Sequence, residues 1–178
     1  MDIGGSFGLA LKQMKDLDPN IETFNMNINE RPSIFGDHVV RHPAEMMPAK
    51  FEEIMDLVES QQAFRYFLYT DIALRNVIKA LTVGGVAKIA FTTYPLFSYS
   101  SFGVLDEDQD AKRLVNDNEL KTRQKALWIE LKTLIDKGFI NIDGSDADLQ
   151  DAILKPFKGM KSGLLRITKK KSTKGINF

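Results

Sequence analysis

The sequence predicts an α+β fold, with helices packed on a small, mainly antiparallel sheet, and three observations predict it. Residues 49–60 and 118–137 repeat apolar side chains at helical intervals. Residues 86–94, 139–142 and 164–168 are short runs of β-branched, aromatic and aliphatic residues, the last two placed to pair as returning strands. The chain has 178 residues, 43% apolar and 27% charged, the balance of one ordinary domain that can bury a core.

Taken in order, Phe7, Leu9, Ala10, Met14 and Leu17 predict a short helix over 7–17, ended by Asp18-Pro19-Asn20 because Pro19 disfavours helix at the residue before it. Apolar and polar residues alternate over 24–29, which predicts a half-buried strand. Pro32, Gly36, Pro43 and Pro48 make 30–47 a long connection. Over 49–60, Phe51, Ile54, Met55 and Val58 take one helical face and Glu52, Glu53, Asp56 and Glu59 the other. The aromatic run 64–69 reads equally as helix or strand. Thr70 or Asp71 opens a helix that buries Ile72, Val77, Ile78 and Leu81 and stops at Gly84-Gly85. Residues 86–94 form a strand bounded by Pro95, and 96–104 a loop or edge strand. Leu120, Leu127, Leu131, Leu134 and Ile135 share a face of the helix 118–137, and Gly138 follows as its cap. Strand 139–142, a short helix over 145–154 and a last strand 164–168 complete the list. The predicted core is Phe51, Ile54, Met55, Val58, Ile72, Val77, Ile78, Leu81, Ile89, Phe91, Leu127, Leu131, Leu134 and Ile140.

Charge is split along the chain. From Lys155 onward there are eight basic residues and no acid, while the first 154 residues carry 16 basic and 24 acidic groups. We therefore divide the chain into a globular α+β domain, 1–157, and a basic C-terminal strand and mobile tail, 158–178. A cationic end attracts polyanions or acidic protein surfaces. The same charges also suit the acidic face of the chain's own body, with Glu52, Glu53, Asp56 and Glu59 as partners.

There is no cysteine, which excludes disulfides, thiolate nucleophiles and Cys-based zinc sites and fits a reducing, cytoplasmic setting. No signal peptide and no span of roughly 20 apolar residues is read, so no membrane partner is expected. Gly4-Gly5-Ser6-Phe7-Gly8 matches G-x-S-x-G, and Asp37 and His42 follow in serine-hydrolase order. Five residues before Ser6 are too few for the buried central strand that a nucleophile elbow needs, so the segment reads as a flexible helix start. His38 and His42 have zinc spacing, but Pro43 argues against a helix there. Asp106, Asp108 and Asp110 resemble a calcium loop that lacks its glycine and glutamate, and capping explains them, with Asp143, Asp146 and Asp148, better. Lys137-Gly138-Phe139-Ile140-Asn141-Ile142 begins like an RNA-recognition strand but lacks the aromatics that stack bases. The rings of Phe91, Tyr94, Phe97, Tyr99 and Phe102 read as core.

The order of long helix, strand 139–142 and returning strand 164–168 is similar in pattern to the end of winged-helix domains, although Glu119 and Glu130 would repel phosphates. No catalytic motif stands out and no cofactor is expected. The expectation is a non-catalytic binding or assembly protein, not an enzyme, that docks on a nucleic acid or an acidic protein surface. Lys158, Lys161, Arg166, Lys169, Lys170, Lys171 and Lys174 would make the contacts. The alternatives are a structural subunit of a homo-oligomer and a metal-dependent enzyme built on the carboxylates at 106–110.

Overall fold

The computed structural model describes residues 1–4, 8–28, 35–61, 63, 67, 69–92, 117–143 and 162–176. A two-residue strand, β1 (Asp2–Ile3), stands at the centre of the sheet, with strands parallel to it on both sides. Helix α1 (Leu9–Leu17) leads to β2 (Phe24–Met26), and β3 (His38–Val40) pairs parallel beyond it. The chain then crosses back over β1. After 3-10 turns at Ala44–Met46 and Ala49–Phe51, β4 (Met55–Gln61) lies on the other side of β1. Helix α2 (Thr70–Ala80) connects it to the parallel β5 (Leu81–Thr92). Helix α3 (Asp117–Asp136) leads to β6 (Ile140–Ile142), and β7 (Ser162–Lys169) inserts between β5 and β6, antiparallel to both. The sheet has seven strands in the order β3-β2-β1-β4-β5-β7-β6.

The expectation of a small, mainly antiparallel sheet is corrected: among the described strands only β7 runs opposite to all the others. Parallel strands are buried on both faces and do not alternate in sequence, and a strand of two residues has no period to detect. The pairing of 164–168 with 139–142 is found as expected, but β7 also forms a longer ladder with β5.

The largest misreading is 49–60, which is a 3-10 turn followed by β4 rather than a helix. Its apolar spacing has a local cause. The register slips between Met55 and Leu57, so that Asp56 alone stands opposite Thr82, Val83, Gly84 and Gly85. The slip turns both Met55 (4% exposed) and Val58 (0%) into the core, three residues apart as in a helix, and leaves Ile54 at 51%. Helix α2 also stops earlier than its glycines suggest, because Leu81 already has extended geometry and begins β5.

One face of the sheet is apolar. Val58, Ala87, Ile89, Ile140, Leu165 and Ile167 are buried with Ala73, Leu74, Val77 and Ile78 of α2 and Leu127, Leu131 and Leu134 of α3. Of the predicted core, only Ile54 and Ile72 are exposed, and the side chain of Phe91 lies outside the described set. Arg75 of α2 donates to Glu130 of α3 at 2.8 Å, which compensates a carboxylate buried between the helices. The opposite face carries a row of polar side chains. Asn25, Asp2, Glu59, Lys88 and Arg166 are consecutive register partners from β2 to β7, and Arg166 meets Asp143 beyond β6 at 3.5 Å. No described helix is long and apolar enough to cross a membrane.

The described C-terminal residues, through Ile176, make specific contacts with the body of the protein. Lys169 ends β7 fully buried, and its ammonium donates to the Leu81 carbonyl and the Thr173 hydroxyl, both at 2.8 Å, and pairs with Glu53 at 3.0 Å. Glu53 holds its own backbone at φ 55 to receive it, and accepts the Thr173 backbone N–H at 2.7 Å. Lys171 donates to the Lys137 carbonyl at 3.2 Å, just past the end of α3. Basic residues here satisfy carbonyls at two helix ends, where the partial charge is negative.

Candidate functional site

In an open sheet whose strands are added first to one side and then to the other, ligands bind outside the carboxyl ends of the strands where the order reverses. That point is β1, flanked by β2 and β4. The chain leaves β1 through a glycine turn. Gly4 has φ 74, and its N–H donates to the Met26 carbonyl at 2.8 Å. A Cβ on Gly4 would stand 2.3 Å from the Ala63 Cβ, just beyond β4. Gly8, with φ 75, is the N-terminal cap of α1, and a Cβ there would lie 2.1 Å from the Phe35 carbonyl oxygen and 2.9 Å from the Asn25 amide nitrogen. Glycine at both positions therefore lets the backbone approach Ala63, Phe35 and Asn25 closely. Among the described residues no side chain caps α1 and its first turn has no acid, and that turn offers backbone amides as donors.

Asp2, two residues before Gly4 on β1, is 4% exposed and stands beside Asn25 (0%) on β2 and Glu59 on β4. Burial and the Glu59 charge push its carboxyl up to about 6, against the pull of the Met1 amine. Ser60 donates to the Ile3 carbonyl at 3.1 Å and stitches β4 to β1. Asn27 follows the last residue of β2, and its N–H donates to the Val40 carbonyl at 3.0 Å.

The sequence-predicted residues lie elsewhere. Lys158, Lys161, Ser6 and the cluster Asp106, Asp108 and Asp110 are outside the described residues. Lys169 has no exposed surface and serves the interior, not an external partner. Lys170, Lys171 and Lys174 are exposed at the opposite end of the sheet from the glycine turn, and Arg166 pairs with Asp143 on the polar face. His38 pairs with Glu22 at 2.7 Å and stacks on Phe24 at 4.7 Å. Asp37 binds Lys15 and both the N–H and hydroxyl of Thr23, which hold its carboxyl down at about 2. Among the described residues no three potential metal ligands come together. Sequence reasoning took Gly4 and Gly8 only as parts of G-x-S-x-G and of a flexible helix start, and gave Asp2 and Asn27 no role. The available signal was the pair of glycines directly after the apolar Ile3 and before a helix, in a spacing looser than G-x-G-x-x-G.

No protein-family model matches the chain, and no curated protein does. Solved structures do. The plantazolicin methyltransferase BamL, in complex with a triazolic desmethylPZN analog and SAH, aligns with a TM-score of 0.62 at 16% identity, over 96% of this chain and 76% of its own. A methyltransferase bound to the Haloferax volcanii Trm112 methyltransferase activator aligns at 0.57 and 14% identity, over 96% and 81%. The 16S rRNA (adenine(1408)-N(1))-methyltransferase of Catenulisporales acidiphilia aligns at 0.53 and 12%, over 98% and 87%. The chain has the fold of S-adenosylmethionine-dependent methyltransferases, which replaces the α+β expectation. These neighbours are methyl-transferring enzymes, which counts against the expectation of a non-catalytic binding or structural protein.

Proposed function

We propose that this chain is a methyltransferase that uses S-adenosylmethionine, held across the carboxyl ends of β1, β2 and β4. The observation that carries the reading is the glycine turn at the reversal of strand order, with room for no Cβ at Gly4 or Gly8. Bound S-adenosylmethionine would supply an electrophilic methyl group on a sulfonium. The chain's own part is to hold the cofactor. The amides at the start of α1 offer hydrogen-bond donors to its carboxylate, and Asp2, two residues before Gly4, offers a negative charge to its ammonium.

One position departs from the usual arrangement. Sheets of this kind place an acid at the end of β2 to accept both ribose hydroxyls, and here the residue is Asn27. An amide offers one acceptor where a carboxylate offers two. Asn27→Asp is expected to tighten S-adenosylhomocysteine binding by about threefold to tenfold, measured by titration calorimetry. An unchanged or weakened affinity would place the ribose elsewhere.

For the acceptor we favour RNA, on the strength of the rRNA methyltransferases among the neighbours. The exposed Lys170, Lys171 and Lys174 are then distant phosphate contacts that anchor a long substrate without touching the reacting base. The test has two stages. Saturating S-adenosylhomocysteine should raise the thermal midpoint, since a ligand at a hundred times its dissociation constant stabilises by about 2.7 kcal/mol. Labelled methyl transfer is then compared on RNA, DNA and protein acceptors. A chain whose midpoint ignores both S-adenosylmethionine and S-adenosylhomocysteine at millimolar concentration is not a methyltransferase of this kind.

A further inference from the structure

Asp2 and Glu59 are register partners on adjacent strands about 4.8 Å apart, and both side chains stand on the face that carries α1. Asp2 is 4% exposed, and the charges that act on its carboxyl are those of Glu59 and the Met1 amine. Glu59 is partly compensated by Lys88 at 3.2 Å, whereas Asp2 has the Glu59 charge beside it and the Met1 amine as its nearest cation. That amine also donates to the Leu57 carbonyl at 2.7 Å. From β2 the facing group is the neutral amide of Asn25, and on α1 Lys12 is taken by Asp16 and Lys15 by Asp37.

We infer that Asp2, with Glu59 beside it, links proton release to filling of the cofactor site: a positively charged ligand group placed beside Gly4 expels a proton from Asp2. The inference rests on the methyltransferase reading and adds the coupling to it. Without ligand the buried acid shares its surroundings with a second carboxylate, and holding a proton relieves the repulsion. A ligand ammonium brought beside it adds a second opposite charge to that of the Met1 amine, so the proton leaves. Linkage then fixes the sign: binding strengthens as pH rises through the titration of Asp2, near 6, and levels off above it.

The experiment is calorimetric titration of the full chain with S-adenosylhomocysteine at pH 5 and 7.5, and at pH 6 in two buffers of different ionisation enthalpy. 5′-Methylthioadenosine, which lacks the amino-acid part, is the neutral control. The dissociation constant of S-adenosylhomocysteine should be about tenfold weaker at pH 5 than at 7.5, with proton release at pH 6, while the control shows neither. Asp2→Asn should abolish the proton release, and Glu59→Gln should shift it to lower pH. Since the Met1 amine also titrates against Asp2, release that survives Asp2→Asn would assign the proton to Met1 and overturn the inference. S-Adenosylhomocysteine binding with no pH dependence would overturn it too, and leave the methyltransferase reading standing. Absence of binding at every pH would remove that reading itself.

Discussion

Lys169→Met is expected to destabilise the protein by about 3–5 kcal/mol, a fall in thermal midpoint of about 10 °C or more for a chain of this size. The substitution removes an ammonium that is 0% exposed and leaves Glu53, the Leu81 carbonyl and the Thr173 hydroxyl inside without their donor. Glu53→Gln should be damaging for the opposite reason, because it strands a buried positive charge. The double variant should lose less than the two single losses together, since each removes the same pair. The acid limb carries a second signature. Burial resists the charge on Glu53, but hydrogen bonds from Lys169, the Thr173 backbone and Ser172 prevail and hold it at about 2, below its ordinary 4.5. A carboxylate depressed in the folded state contributes fully above its unfolded value, and that contribution is lost as pH falls from about 4.5 toward 2. Acid titration of Glu53→Gln should show a flatter fall across this window. If Lys169→Met melts within about 2 °C of the parent, the ammonium is not what fastens the C-terminal segment to the base of the sheet.

The basic segment shows what a linear sequence conveys and what it hides. Its charge is plain, and so is the acidic counterpart that contains Glu53. What the sequence cannot convey is direction. Lys169 and Lys170 are adjacent and chemically identical, yet the last residue of β7 turns into the interior and the residue just past it faces water, as side chains alternate along extended backbone. The helices were readable for the converse reason. Leu127, Leu131 and Leu134 repeat at the period of their own backbone, and all three are buried against α2 as predicted. Met55 and Val58 repeat at the same period through a slip in strand register, which nothing local distinguishes from a helix. The site was hardest of all. Its central strand is two residues long, and its glycines acquire meaning only when Ala63 and Phe35, far along the chain, are brought against them.

That dependence makes Gly8 the position where fold and proposed activity are most tightly joined. Gly8→Ala is expected to lower stability by about 3 kcal/mol and to weaken S-adenosylhomocysteine at least tenfold. Two effects add. An alanine at φ 75 adopts a left-handed conformation that disfavours any side chain by roughly 1–2 kcal/mol. Its Cβ would also stand 2.1 Å from the Phe35 carbonyl, a backbone atom that cannot swing aside, so α1 must lift from the sheet. Gly84→Ala separates the two effects. Gly84 has φ 89, but a Cβ there meets nothing within 4 Å, and it lies at the base of β5, away from the glycine turn. It should lose only the conformational part, about 1 kcal/mol, and bind the ligand as the parent does. Urea unfolding and calorimetric titration of both variants decide the matter. Equal losses would mean that close approach at Gly8 is irrelevant, and a Gly8→Ala variant that folds and binds normally would move the ligand site away from the start of α1.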